Sequence, residues 1–483
     1  MTYSVVPHPS RISIKSDSVA FRISSFMKIV GDETTLDARD ELLRFLGDVL
    51  EIFPVGGEQE IHFVLSDSAE KKGSYHIEVR KNRINLTANS AEGLFYAVQT
   101  LRQLLFQAQD NLCELEIFDE PSYDIRGFML DCARHFFTKE EIFRFLDLMA
   151  LHKLNEFHWH LSDDQGFRCQ LECAPLLTEI GSVRSHTGLK NEEHSGYYTK
   201  KDIKEIIKYA HSKHIKVIPE INTPGHTVSM ISAYPELSCR GKEIPVATSF
   251  GAKKDVLCIG KESTFDFMLR LYDELCEMFP DGIIHIGGNC APIERWQECP
   301  HCQRRIKEEK LSDERELENY YFSRISKHLH KKGVEVRMRT LWHWNSYINP
   351  FPEGEAPDFI VSNTPCCQLS LPYEETDLER AYKVTAVNPS ENDENRIKGM
   401  EACLWTEHIP DIKKADFALL PRLGAFSENA WTSSENRDYA RFYENLQDYY
   451  RLLYALGYGP ATLSRALPGR IRRALYKFNR TAY

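Results

Sequence analysis

The sequence predicts an α/β protein, a (β/α)8 TIM-type barrel preceded by a small α+β domain. Three observations predict it. The chain has 483 residues, enough for a barrel of about 250 residues or more and a second domain. From Asp124 onward, short apolar strands alternate with amphipathic helices, the pattern of parallel βα units. Polar residues cluster directly after those strands, on the rim where barrel enzymes carry their active sites.

The first domain is placed at residues 1–118. Alternating apolar and polar residues predict strands at Ile61–Leu65, Tyr75–Arg80 and Arg83–Thr87. A helix follows from Ser90, with Leu94, Val98, Leu101 and Leu105 on one apolar stripe. The barrel is placed at 119–460. Its predicted strands are Arg126–Asp131, Glu156–His160, Lys216–Glu220, Ile283–Ile286, Val334–Leu341, Phe359–Ser362, Val384–Asn388 and Met400–Leu404. The residues that follow them are Arg134, Asp163, Asn222, Asn289, His343, Asn363, Asn388 and Glu407. Residues 461–483 read as a basic C-terminal helix or tail, with Arg470, Arg472, Arg473, Lys477 and Arg480 facing water.

Composition narrows the function classes. A net charge of -11 argues against nucleic acid or an anionic membrane as partner. There is no apolar run of membrane-spanning length. The stretch from Met1 to Arg11 lacks the apolar core of a signal peptide, so a cytoplasmic location is expected. The thirteen cysteines lack the spacing of a disulfide scaffold and are expected to be mostly reduced.

Five stretches carry a likeness: RGFMLDCARHFF (126–137), LMALHKLNEFHWHLSDDQGFR (148–168), VIPEINTPGHT (217–227), HIGG (285–288) and EACLWTEHI (401–409). In order and spacing they resemble glycoside hydrolase family 20, the β-N-acetylhexosaminidases, over most of 120 to 460. The first 118 residues fit the small domain that precedes the barrel in that family. The resemblance implies a carbohydrate ligand, no cofactor, and substrate-assisted hydrolysis of terminal N-acetylhexosamine. In that scheme the substrate's own acetamido carbonyl attacks the anomeric carbon, an exception to the usual two-carboxylate arrangement. An aspartate orients the acetamido group, and the next residue, a glutamate, protonates the leaving oxygen.

Those two catalytic positions, directly after HIGG, are here Asn289 and Cys290. Asn289 offers an amide but no negative charge. Cys290 carries a thiol two bonds closer to the backbone than a glutamate oxygen. Asn222, too, occupies a position that is usually aspartate in the family. The resemblance gives Asp163 and His226, with His160, to the supporting network of the catalytic pair. It gives Arg134, Trp342, Trp344, Trp405 and Glu407 to sugar binding. Read as structure alone, Arg134 would be a salt bridge to Asp131, Glu407 a helix N-terminal carboxylate, and the tryptophans core packing.

Three function classes stay open: an altered hexosaminidase-like glycosidase with compromised acid catalysis, a non-catalytic sugar-binding protein, and a thiol- or metal-dependent glycosidase using Cys290. For the third, Cys290, His343, Cys366 and Cys367 are the candidate metal ligands, against the reading of buried free thiols. Glu391 and Glu401 are candidate replacement acids. Cys299 and Cys302 form a single C-x-x-C with no second pair near it in sequence, and the resemblance implies no metal there.

Overall fold

The computed structural model describes residues 3–67, 71–187, 192–251, 253–288, 291–339, 346–350, 357–362, 366–383 and 396–481. The N-terminal sheet contains β1 (Arg11–Arg22), β2 (Met27–Val30), β3 (Gln59–Leu65), β4 (Tyr75–Arg80), β5 (Arg83–Ala88) and β6 (Asn111–Asp119). Their order across the sheet is β1-β6-β4-β5-β3-β2. Helices α1 (Leu36–Leu50) and α2 (Ala91–Ala108) pack against each other and α2 lies on the sheet. The Ser90 side chain caps α2 by accepting from the Gly93 N–H, and the predicted stripe of Leu94, Val98, Leu101 and Leu105 is fully buried. The predicted strands at 61–65, 75–80 and 83–87 all form. β1 was not foreseen because three register shifts break its alternation.

The barrel strands are β7 (Ile125–Asp131), β8 (Glu156–Asp163), β9 (Gly166–Phe167), β10 (Lys216–Thr223), β11 (Ile283–Gly287), β12 (Glu335–Arg339), β13 (Ser346–Ile348), β14 (Phe359–Val361) and β15 (Ile397–Leu404). Leaving aside β9, a hairpin partner of β8, the described strands close into a ring of eight, β7-β8-β10-β11-β12-β13-β14-β15 and back to β7. Every residue of β8 is buried, as expected for a parallel strand covered on both faces. Of the predicted strands, Val384–Asn388 lies outside the described residues. The ring includes instead β13, which runs antiparallel to both β12 and β14. Three residues are too few to show a period in sequence.

The barrel interior is polar. Arg337 pairs with Glu156, Arg339 forks onto Glu220 at 2.9 and 3.1 Å, and His158 Nδ1 lies 2.9 Å from Glu401. Apolar side chains fill the space between the strands and the surrounding helices, such as α3 (Lys139–Leu151), which begins at a Thr138–Glu141 capping box. The N-terminal sheet docks through a second buried cluster. Lys153 Nζ donates to Asp119 at 2.8 Å, Trp431 Nε1 donates to the same carboxylate at 2.9 Å, and Tyr75 joins them. Trp431 belongs to the N-terminal apolar core although it lies beyond the last barrel strand.

The basic C-terminal segment forms a helix, Arg470–Thr481, held to the barrel by Arg472–Glu374 and Arg473–Asp377 pairs. None of the described helices is long and apolar enough to cross a membrane.

Candidate active site

The C-terminal end of β7 builds the first part of the site. Asp131, the last residue of the strand, accepts from the backbone N–H groups of Ala133 and Arg134 at 3.0 and 3.1 Å. Its other oxygen accepts from Thr406 N–H at 3.1 Å and from the Arg134 side chain at 3.2 Å. One buried carboxylate therefore ties together the turn that carries Arg134 and the segment that carries Trp405 and Glu407. The Arg134 guanidinium also donates to Asp163 at 2.7 Å and, through Nε, to Gln165 at 3.2 Å. Burial opposes its charge, but Asp163 and Asp131 hold it firmly protonated.

β8 contributes Asp163 and His160, and the turn after β10 contributes His226. His160 lies between Glu220 at 2.6 Å and Asp163 at 3.1 Å, a chain that continues to Arg339. Burial works against the imidazolium, yet Glu220 and Asp163 raise His160 to about 9. His226 Nδ1 faces Asp163 at 3.1 Å and Asp164 at 3.3 Å. Burial would lower it, but Asp163 and Asp164 lift it to about 10. Burial alone would raise the Asp163 carboxyl. Arg134 and His226 instead hold it well below the usual range. At neutral pH the rim therefore holds a fixed alternation of charges, Arg134 and His226 positive and Asp163 negative.

After β15, Trp405 and Glu407 complete the wall. The Arg134 guanidinium stands 5.1 Å from the Trp405 ring centroid, Arg339 stands 4.9 Å from it, and His160 meets the ring edge-on. Arg134, Gln165, His226, Trp405, Glu407 and Phe250 line one cavity of about 640 Å³. Burial raises the Glu407 carboxyl despite Arg134 nearby. Glu407 is not a helix N-terminal carboxylate, because the next helix, Ile412–Leu419, is capped by Asp411. Arg134 does make the Asp131 salt bridge and still lines the cavity. A second cavity, of about 730 Å³, opens at the opposite end of the barrel around Arg126, Glu156 and Arg337. Barrel enzymes do not place their chemistry there.

The two glycines of HIGG have a steric reason. Gly287 has φ +89, and a Cβ there would stand 2.4 Å from Asn222 Oδ1; Gly288 has φ +103, and its Cβ would meet Arg339 O at 2.2 Å. The backbone leaving β11 thus presses against both neighbouring strands, and no side chain fits. Asn289 and Cys290 follow immediately and lie outside the described residues, as do Trp342, His343, Trp344, Asn363, Asn388 and Glu391. Asn222 places Nδ2 3.5 Å from Asp163, so the rim has no third carboxylate at this point.

Glu401 does not fit the part of replacement acid. It lies inside the barrel against His158, and although burial favours its neutral form, His158 keeps it ionised. Among the described residues, Cys366 and Cys367 join no cluster of three ligand-type side chains. Two such clusters at the site, Asp163–Asp164–His226 and His158–Glu220–His285, already hold guanidinium groups, Arg134 and Arg339. Sequence reasoning missed Gln165, Glu220 and Arg339. The first two lie inside stretches with family likeness but were not singled out, and Arg339 carries no local signal.

The sequence matches the family model "Glycosyl hydrolase family 20, catalytic domain" over residues 123–364 and 358–434, and "domain 2" of the same family over 2–120. It is 31% identical to a β-hexosaminidase of Porphyromonas gingivalis, aligned over 92% of this chain and 62% of that protein. It is 28% identical to a β-hexosaminidase of Akkermansia muciniphila, over 92% and 90% of the two chains. The chain thus spans about 62% of the length of the first relative and most of the second. Among solved structures, it is similar to the family 20 exo-β-N-acetylglucosaminidase from Vibrio harveyi in complex with N-acetylglucosamine. That likeness has a TM-score of 0.82 and 25% identity, covering 96% of this chain and 80% of the other. By the extent of these matches, the chain belongs to glycosyl hydrolase family 20.

Proposed function

We propose that this protein is a β-N-acetylhexosaminidase-like glycoside hydrolase whose rim cavity takes a terminal N-acetylhexosamine or a related sugar, with ordinary acid catalysis compromised. The observation that carries the reading is the convergence of Arg134, His226, Trp405 and Glu407, from three different strand ends, around one cavity, with Asp163 behind them holding the first two. The names of the relatives, and the N-acetylglucosamine in the Vibrio harveyi structure, point to the same ligand class. The accompanying domain division is 1–118 for the α+β domain, 119–460 for the barrel and 461–483 for the basic helix.

In this reading Arg134 and Glu407 hold ring hydroxyls and Trp405 offers its face to the sugar. The family likeness gives Trp342 and Trp344 to the same sugar-binding role. Asp163 and His226 support the positions of Asn289 and Cys290. The Asn289 amide orients the acetamido group but leaves the developing oxazolinium charge uncompensated, which costs on the order of 100-fold. Cys290 replaces the proton donor with a shorter and weaker acid. General acid catalysis is worth roughly 100- to 10,000-fold, and its loss falls on leaving groups that need a proton.

The test is turnover of a nitrophenyl N-acetyl-β-glucosaminide and of the matching disaccharide, by this chain and by its Asn289→Asp/Cys290→Glu variant. Slow cleavage of the aryl glycoside with almost none of the disaccharide is expected. The double substitution should raise disaccharide turnover by about 1,000-fold or more. Binding without any turnover would make the protein a sugar-binding one. Equal turnover of both substrates by the unmodified chain would mean that an acid is present.

A further inference from the structure

A second set of reactive side chains converges away from the sugar cavity. Cys239, Cys258, Cys299 and Cys302 bring their sulfurs within 4.8 Å of one another. Cys258 Sγ lies 3.6 Å from Cys299 and 3.8 Å from Cys302, and Cys239 lies 3.9 Å from Cys302. A disulfide bond is about 2.05 Å long, so these are contacts between unlinked sulfurs. A zinc ion with Zn–S bonds of about 2.3 Å in tetrahedral geometry holds its ligand sulfurs about 3.8 Å apart. The three separations fall around that tetrahedral edge.

The backbone arranges the four cysteines as two pairs. Ser238 and Leu257 form an antiparallel bridge, and Cys258 N–H donates to Leu237 O at 2.7 Å, so Cys239 and Cys258 leave adjacent chain segments together. Cys299 and Cys302 are the C-x-x-C. Cys299 is the N-cap of the helix Pro300–Glu308 and Cys302 lies in its first turn, where the helix dipole favours thiolate. The C-x-x-C lacks a second pair near it in sequence and acquires one in space.

The pairs are fitted to each other. A Cβ on Gly260 would stand 2.3 Å from the backbone of both His301 and Cys302. Only glycine lets the turn after Cys258 close on the helix start. Trp296 fixes the same turn by donating to Leu257 O at 2.9 Å. Lys261 Nζ donates to Glu236 O and Ser238 O, both at 2.8 Å, and places a cation against the segment leading to Cys239. Three buried thiols and a half-buried one, packed merely as small apolar groups, would not need the glycine contact.

We propose that Cys239, Cys258, Cys299 and Cys302 form a tetrahedral structural zinc site that clamps the segment following β10 to the segment following β11. With four protein ligands the site is closed, and its role is to hold structure, not to activate water. Near their starts the clamped segments carry, respectively, His226 and the Asn289–Cys290 pair. The site does not depend on the sugar-binding reading, since it uses none of the rim residues.

The experiment is metal analysis of the full chain purified without chelator, alongside a Cys299→Ser/Cys302→Ser variant. One zinc per chain is expected, lost in the variant. So that a folding defect of that variant does not decide the outcome, the unmodified protein is also loaded with Co2+, for which the intense visible bands of tetrahedral thiolate cobalt are expected. Treatment with a strong zinc chelator should lower its melting temperature. Zinc retained by the double variant would overturn the site. So would a disulfide between any two of the four cysteines, bound iron in place of zinc, or metal-free protein whose melting temperature ignores the chelator.

Discussion

Two buried clusters of opposite charges use nearly the same parts and do different work. At the docking face, Lys153 and Asp119 are both fully buried, and Tyr75, Trp431, Ser10 and the Glu120 N–H take up the remaining capacity of the carboxylate. Burial lowers the Lys153 ammonium, and Asp119 offsets that only in part. At the rim, Arg134 has two carboxylates and the Gln165 side chain around it, yet it borders a cavity shared with Trp405 and Glu407. A guanidinium carries five N–H donors in a fixed fork. Three such contacts to the protein leave it able to grip a ligand. Saturation marks the structural cluster and spare donors mark the binding one.

Breaking the docking cluster should have the largest effect. Lys153→Met leaves Asp119 charged and buried without its cation, which costs roughly 3–5 kcal/mol. Urea denaturation should show that loss, while affinity for N-acetylglucosamine stays unchanged. A change in affinity would mean that the two clusters are coupled.

Arg134→Ala should divide the other way. A hydrogen bond from a charged group is worth roughly 1.5–3 kcal/mol, so calorimetry should show affinity for the same sugar falling by about tenfold or more. Asp163 also loses its guanidinium, so the unfolding midpoint drops, but by less than in Lys153→Met because His160 and His226 still face that carboxylate. Unchanged affinity would reduce Arg134 to a structural residue.

The effect at His226 shows in its dependence on pH. Its pKa is raised to about 10 in the folded protein, where Asp163 outweighs burial, against about 6.5 unfolded. The stabilisation from the ion pair is complete below pH 6.5 and disappears as pH rises through 10. The gap in unfolding midpoint between the unmodified chain and His226→Gln should therefore be widest near pH 6 and close by pH 10 to 11. A gap that does not vary with pH would show that His226 contributes packing alone.

Legibility in sequence followed chemistry and length. β8, with EFHWHLSD buried throughout, and α2, with its Ser90 cap and leucine stripe, announce themselves through apolar runs and period. β13 does not, since three residues carry no period and its place in the ring depends on neighbours at both sides. At the site, Arg134, Asp163, His226, Trp405 and Glu407 were readable because each follows a strand within a stretch of family likeness. The Asp131 partner of Arg134 was readable, but Gln165 was harder to assign, because its work is to orient Arg134, which is a matter of distance and not of residue type. The four-cysteine cluster was hidden for a similar reason: Cys239 and Cys302 stand 63 residues apart and only the folded chain brings them together.

Trp431 has a consequence for the order in which the molecule is made. The ring donates to Asp119 and fills the N-terminal core, yet 312 residues separate the two in the chain. A ribosome adding about 5–20 residues per second takes roughly 15 to 60 s to cover that distance. During that time the N-terminal domain lacks the ring that fills one side of its core. Its final packing therefore waits for the far end of the barrel, and the first domain to be synthesised is among the last to be finished.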